Sequence, residues 1–170
     1  MTVSGSVPGA VAAGVVAGAA GTLAMDLVWY ARYRRGGGKD LFSDWEFSTG
    51  VTSFDGAGPP AQLGRRIVQA VFHVELPPQS ARTANNVMHW ATGTQWGAVY
   101  ALVTAATGKT GPRYGLVLGP AAWSASYVIL PLAKVYKPIW EYDANTLAKD
   151  LSAHLVYGMA TATVFRLLRR

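Results

Sequence analysis

The chain has 170 residues, 51% of them hydrophobic and 14% charged, against about 25% charged in soluble domains. Its net charge of +6 comes from Lys and Arg that flank apolar segments rather than line one polar face, which argues against a nucleic-acid-binding surface. With no cysteine in the chain, disulfide frameworks, thiolate metal sites and a cysteine nucleophile are excluded.

The N-terminus lacks the basic region and cleavage site of a signal peptide, so the first apolar run is expected to be retained. Four segments are predicted to cross a bilayer, a task that takes about twenty apolar residues each. The first runs from Pro8 to Tyr30 and is closed by Arg32. A polar stretch over 35–83 follows, broken by Gly36-Gly37-Gly38 and by Gly56 to Pro60. Within it, Leu63, Ile67, Ala70, Val71 and Val74 recur at helical spacing, with Arg65, Arg66 and Gln69 elsewhere. That pattern predicts an amphipathic helix over 63–76, packed on its own protein or lying at the membrane interface. The second span is expected over 86–106, and the third over 113–132, between Pro112 and the stop signals Pro131 and Pro138. The fourth is expected over 146–168. Trp29, Tyr30, Trp90, Tyr114, Trp140 and Tyr142 near the ends fit an aromatic belt. The reading is an all-α integral membrane protein, one transmembrane domain over 1–170 arranged as a four-helix bundle, with the lipid bilayer as its first partner.

Small residues follow a pattern. Gly14 and Gly18 in the first segment match Gly115 and Gly119 in the third. In the second, Asn85, His89, Gly93, Gly97 and Ala101 stand four apart, as do Asp150, His154, Gly158, Ala162 and Arg166 in the fourth. The matched rows raise a duplicated helical hairpin, with the long loop inserted in its first copy. Lipid tails are as apolar as Leu, so membrane helices associate largely through close packing of small residues. The glycine rows are expected to pack inside the chain; a homo-oligomer or a docked membrane partner using one such row is the alternative. Pro120, after Gly119, removes a backbone donor and leaves the Leu116 carbonyl free.

Ionisable residues inside spans are costly and are functional candidates by default. An up-and-down arrangement puts Asp26, His89 and His154 at one side of the membrane. Asp150 precedes His154 by four residues and Asn85 stands likewise to His89, so each can meet its histidine on one helix face. Tyr127 holds in the third span the place of Asp26 in the first, and Tyr157 and Tyr100 could extend the polar track. Four readings follow from this cluster. It can be structural glue, a proton or small-ion pathway, or a metal site from Asp26, His89 and His154. The fourth reading is bis-His haem between the second and fourth spans. No cofactor is expected as the default. His73 in the loop helix reads as ordinary. No phosphate loop, H-E-x-x-H or G-x-S-x-G signature occurs, and an enzyme is not expected.

Several stretches resemble the YagU-like family of small bacterial inner-membrane proteins. They are Gly21-Thr-Leu-Ala-Met-Asp26 with Tyr30-Ala-Arg-Tyr-Arg34, Asn86-Val-Met-His89-Trp90 with Trp96-Gly97 and Tyr100, and His154-Leu-Val-Tyr-Gly158. The segment from Pro131 to Tyr142 is similar as well. The resemblance implies a multi-pass plasma-membrane protein with a link to acid tolerance, in which His89 and His154 would be the pH-responsive groups. It supplies no catalytic residues. Ten of the fifteen Lys and Arg residues fall on the side of the long loop, which leans toward a cytoplasmic loop; Arg166, Arg169 and Arg170 pull the other way.

Overall fold

A computed structural model describes residues 6–170. The described residues form helices and connecting turns, without a strand. Four helices are long: α1 (Val7–Arg35), α4 (Ala81–Thr107), α5 (Pro112–Leu132) and α6 (Ala144–Leu168). Two lie between the first pair: α2 (Phe42–Glu46) and α3 (Pro59–Phe72). All four expected spans coincide with long helices. α1 overshoots its apolar run by a full turn because Arg32, Arg34 and Arg35 are good helix formers and suit the negative end of the helix dipole. α3 begins and ends four residues earlier than expected, since Pro59 opens it and His73 closes it in the left-handed conformation. The short α2 has no counterpart in the sequence reading.

The chain folds as two compact units, and three of the long helices run from one into the other. The first unit holds α1 up to Trp29, Thr92–Ala125 and Asp143–Arg170. The second holds Tyr30–Ala91 and Ser126–Tyr142.

In the first unit the helices meet backbone to backbone. α1 and α4 run antiparallel through Gly14 with Gly97 and Gly18 with Gly93; a Cβ on either α1 glycine would lie 2.5 Å from the carbonyl oxygen of its partner. α5 and α6 repeat the device: Gly115 faces the Gly158 carbonyl and Gly119 faces that of His154. Gly21 brings α1 against Tyr157 and Thr161 of α6. The Tyr157 hydroxyl crosses to donate to the Gly93 carbonyl of α4 at 2.7 Å. Around these crossings lie Ala17, Tyr100, Ala101, Leu118, Ala162 and Phe165. The Tyr100 ring stands edge-on to Phe165 at 5.4 Å.

The buried set of α1 is Ala10, Gly14, Ala17, Gly18, Gly21, Thr22 and Asp26, all short, while Val16, Leu23 and Leu27 face outward. α5 does the same with Leu116, Val117, Val128 and Ile129, and α6 with Met159, Leu167 and Leu168. Small residues inside and large aliphatic residues outside is the arrangement that hydrocarbon favours, because there only close contact draws helices together. Three helices, α1, α5 and α6, are long and apolar enough to cross a membrane. These mark the chain as a helical membrane protein. α4 is long enough but is not among the three. Its first half carries Arg82, Asn85, Asn86 and His89, and its second half exposes Val99, Leu102 and Val103.

The second unit has its own core, with Phe54, Ala61 and Ala81 buried and Val51, Ala57, Leu76 and Ala84 around them. Gly64 lets α3 approach Ala84 and Met88 of α4. The Gln62 side chain donates to the Phe54 carbonyl, and the Arg65 guanidinium lies 5.3 Å from the centre of the Phe54 ring. At the end of α5 and in the segment after it, the rings of Tyr127, Tyr136 and Tyr142 stand 5.4 to 6.0 Å apart.

Two outcomes follow. Gly97→Ala gains up to about 1 kcal/mol of helix propensity. The new methyl would press on the Gly14 carbonyl and on the Gly18 backbone, and overpacking costs about 1–3 kcal/mol. The clash wins, so thermal unfolding in detergent should show a net loss of about 1–2 kcal/mol. Gly50→Ala, which meets nothing within 4 Å, should leave the midpoint unchanged.

The second outcome concerns the start of α6. Asp143 caps it, accepting from the Thr146 hydroxyl at 2.6 Å and the Thr146 amide at 2.9 Å. The hydroxyl bond first, then the amide, hold the Asp143 carboxyl below its ordinary pKa. An acid lowered in the folded state stabilises above its unfolded pKa of about 3.9. That contribution is lost as pH falls through the lower, folded value. Hydrogen-exchange protection of the Thr146 amide, corrected for intrinsic rate, should hold steady down to about pH 5 and fall below about pH 4. In Asp143→Ala it should be low throughout.

Candidate functional site

Each of the matched histidines stands beside a carboxylate, and the two are supplied by different routes. In the first unit, one turn of α6 is enough. The His154 ring Nδ1 lies 3.4 Å from the Asp150 carboxylate and 3.0 Å from the Asp150 carbonyl oxygen. Both side chains are largely shielded, at 16% and 18% exposure. The i, i+4 spacing places them on one face, as the sequence reading expected.

In the second unit, the residue four before His89 is Asn85, whose amide carries no charge. It donates instead to the Ser48 hydroxyl at 2.9 Å. Within the second unit an acid lies near His89: Glu46, at the end of α2. A carboxylate oxygen of Glu46 and a ring nitrogen of His89 lie within 4.8 Å of one another. Glu46 is 7% exposed, and the His89 ring stands edge-on to Trp90 at 6.1 Å.

Why α2 presents a buried acid is legible in its surroundings. Gly37 turns the chain with a φ of +94°, and the Tyr33 ring lies directly over Gly38, where a Cβ would collide with it. The Tyr33 hydroxyl donates to the Asp40 carboxylate at 2.5 Å and the Tyr30 hydroxyl to the Asp40 carbonyl at 2.9 Å. Trp45 then packs on Tyr30 and Tyr33, at 5.5 and 6.1 Å between ring centres. From the other side α4 reaches over the turn: Arg82 and Asn86 donate to the Phe47 carbonyl at 3.0 and 2.9 Å. Glu46 sits between these two clamps, held by aromatic packing before it and hydrogen bonds after it.

The remaining expected site residues are distributed as follows. Asp26 is buried at 3% exposure on the inner face of α1, one turn beyond Thr22. Tyr157 is buried and engaged with Gly93. Tyr127 is buried in the tyrosine cluster of the second unit. Tyr100 reaches the Gly111 carbonyl at a long 3.5 Å. His73 closes α3 through its backbone, its amide donating to the Gln69 carbonyl. Of the metal candidates, Asp26 and His154 belong to the first unit and His89 to the second.

Sequence reasoning missed Glu46. It lies in a five-residue helix, too short for periodicity, inside a stretch whose polar composition reads as solvated. A signal was present in Phe42, Trp45 and Phe47, three aromatic residues around one acid in an otherwise polar loop. No family model, curated protein or solved structure matches the chain.

Gly38→Ala tests the clamp. The added methyl must displace the Tyr33 ring and with it the hydroxyl bond to Asp40. The expected result is faster hydrogen exchange of the Phe47 amide, which donates to the Ser43 carbonyl, with the amides of α5 unaffected. Unchanged exchange over α2 would mean that the aromatic packing alone positions Glu46.

Proposed function

We propose that the protein is a small multi-pass membrane protein whose acid–imidazole pairs relay a proton or small ion, without catalysing a chemical transformation. The observation that carries this reading is a carboxylate near each matched histidine, Glu46 within 4.8 Å of His89 and Asp150 at 3.4 Å from His154. Histidine is the side chain that changes charge between about pH 5 and 8. A carboxylate beside it can hold or return the proton as the imidazole turns over. Asp26 adds a third acid on a helix apolar and long enough to cross a membrane. Such groups are expensive in that setting and are functional candidates by default. No cofactor is needed for this role.

In this reading the protein is a four-helix transmembrane bundle, with α4 as the fourth span. Its glycine contacts with α1 and its outward Val99, Leu102 and Val103 support that place. The two antiparallel glycine crossings also support a duplicated hairpin. The copies differ by one helical turn: Gly14 meets Gly97, whereas its counterpart Gly115 meets Gly158, the counterpart of Gly93. The resemblance to the YagU-like family agrees with a bacterial inner-membrane location and with a response to acid. An accessory role, docking a second copy or a membrane partner, would have to use a face other than the glycine rows, which are occupied within the chain.

The purified protein in liposomes should dissipate an imposed pH gradient, followed with an entrapped pH-sensitive dye. His89→Gln and His154→Gln should each slow the flux about tenfold or more, as loss of a proton-transfer group does. Equal leak from empty, wild-type and mutant liposomes would end the proposal.

A further inference from the structure

α3 leaves an apolar face unused by the chain. Its inner edge is taken: Ala61 is in the core of the second unit and Gly64 lies against Ala84 and Met88. Ile67, Ala70 and Val71 share one side of the helix and are exposed, Val71 at 62%. Val74 beyond the helix end is exposed too. Arg66 and Gln69 are exposed away from that stripe, and no acidic residue occurs from Pro59 to Phe72. A stripe of this kind in water would be an aggregation hazard.

What covers it is indicated by the place where the helix is fastened. The Arg66 guanidinium donates to the Lys134 carbonyl at 3.2 Å, two residues past Leu132, where α5 ends. α5 is one of the three helices fit to cross a membrane, so this bond ties α3 to the point at which a span leaves the hydrocarbon. Leu132 and Trp140 in the same unit are 80% and 81% exposed. Trp beside Lys134 and Lys137 is the composition of a headgroup-level anchor. At 14 residues α3 is about 21 Å long, too short for a hydrocarbon core of about 30 Å.

We infer that α3 is an in-plane membrane helix: Ile67, Ala70 and Val71 lie among lipid acyl chains at the bilayer surface while Arg66 and Gln69 face headgroups and water. Apolar area and basic flanks together are what hold such helices at an interface. The inference requires a membrane protein but not a proton path, so it stands or falls separately from the proposed flux.

The absence of cysteine makes the test direct. Val71→Cys and Gln69→Cys, each carrying a nitroxide, are reconstituted as the full chain in vesicles of phosphatidylethanolamine and phosphatidylglycerol. Collision rates with oxygen, which concentrates in lipid, and with a water-soluble nickel chelate are compared. The label at 71 should favour oxygen over nickel severalfold more than the label at 69. Ready collision of the 71 label with nickel would place the face in water, and shielding from both reagents would place it under protein, a second copy included. Either result overturns the inference, as would equal lipid exposure at 69. An Ile67→Cys label, on the same stripe, should repeat the result at 71.

Discussion

The first unit depends on helices that touch at their backbones. In hydrocarbon a leucine gains nothing by turning inward, so attraction must come from contact that only small side chains allow. Gly14, Gly18, Gly93 and Gly97 provide it for α1 and α4, and Gly115, Gly119 and Gly158 for α5 and α6. The other observations in this unit follow. The interior is filled by Ala and Thr rather than Leu and Ile, and Phe165 is the one large side chain that is fully enclosed among the described residues. Contact at that range also fixes register, because a helix seated on a partner's carbonyl cannot slide by a residue without a clash. Register in turn aims the Tyr157 hydroxyl at Gly93.

The second unit is held by a different kind of bond. Its segments are polar enough to fold against one another through side-chain hydrogen bonds, aromatic packing and the cation–ring contact at Phe54. Loops placed on a rigid frame often carry the working groups of a protein, since they are free of the periodicity that packing imposes. Here the frame is the end of α1 and the start of α4, and the loop between them delivers Glu46. An acid that far from His89 in sequence reaches it only because Tyr30, Tyr33 and Asp40 turn the chain back.

What could be read from the residues was whatever depends on spacing along one helix. The long helices, the glycine rows and the Asp150–His154 pair are of that kind, and each stands where its spacing put it. What required a turn or a tertiary contact was hidden. Asn85 and Asp150 look equivalent by position, but the amide turns to Ser48 and the carboxylate to its own histidine. α2 is too short to announce itself. Tyr127, equivalent to Asp26 by counting, belongs with Tyr136 and Tyr142, because the loop after α5 folds back on the helix end. α4 is expected as the second span on length and flanking charge, whereas its apolar character is confined to its second half.

The order of pairing has a consequence for how the chain is made. α5 and α6 are neighbours in synthesis, divided only by residues 133–143. α1 and α4 are divided by residues 36–80, although their glycines match one another across the first unit. At about 5–20 residues per second, roughly 4–14 s separate the completion of α1 from that of α4. Throughout that interval the bare glycine groove of the newborn first helix faces lipid or the insertion machinery, while the polar stretch behind it accumulates on one side. Assembly of this protein therefore waits on its least apolar long helix.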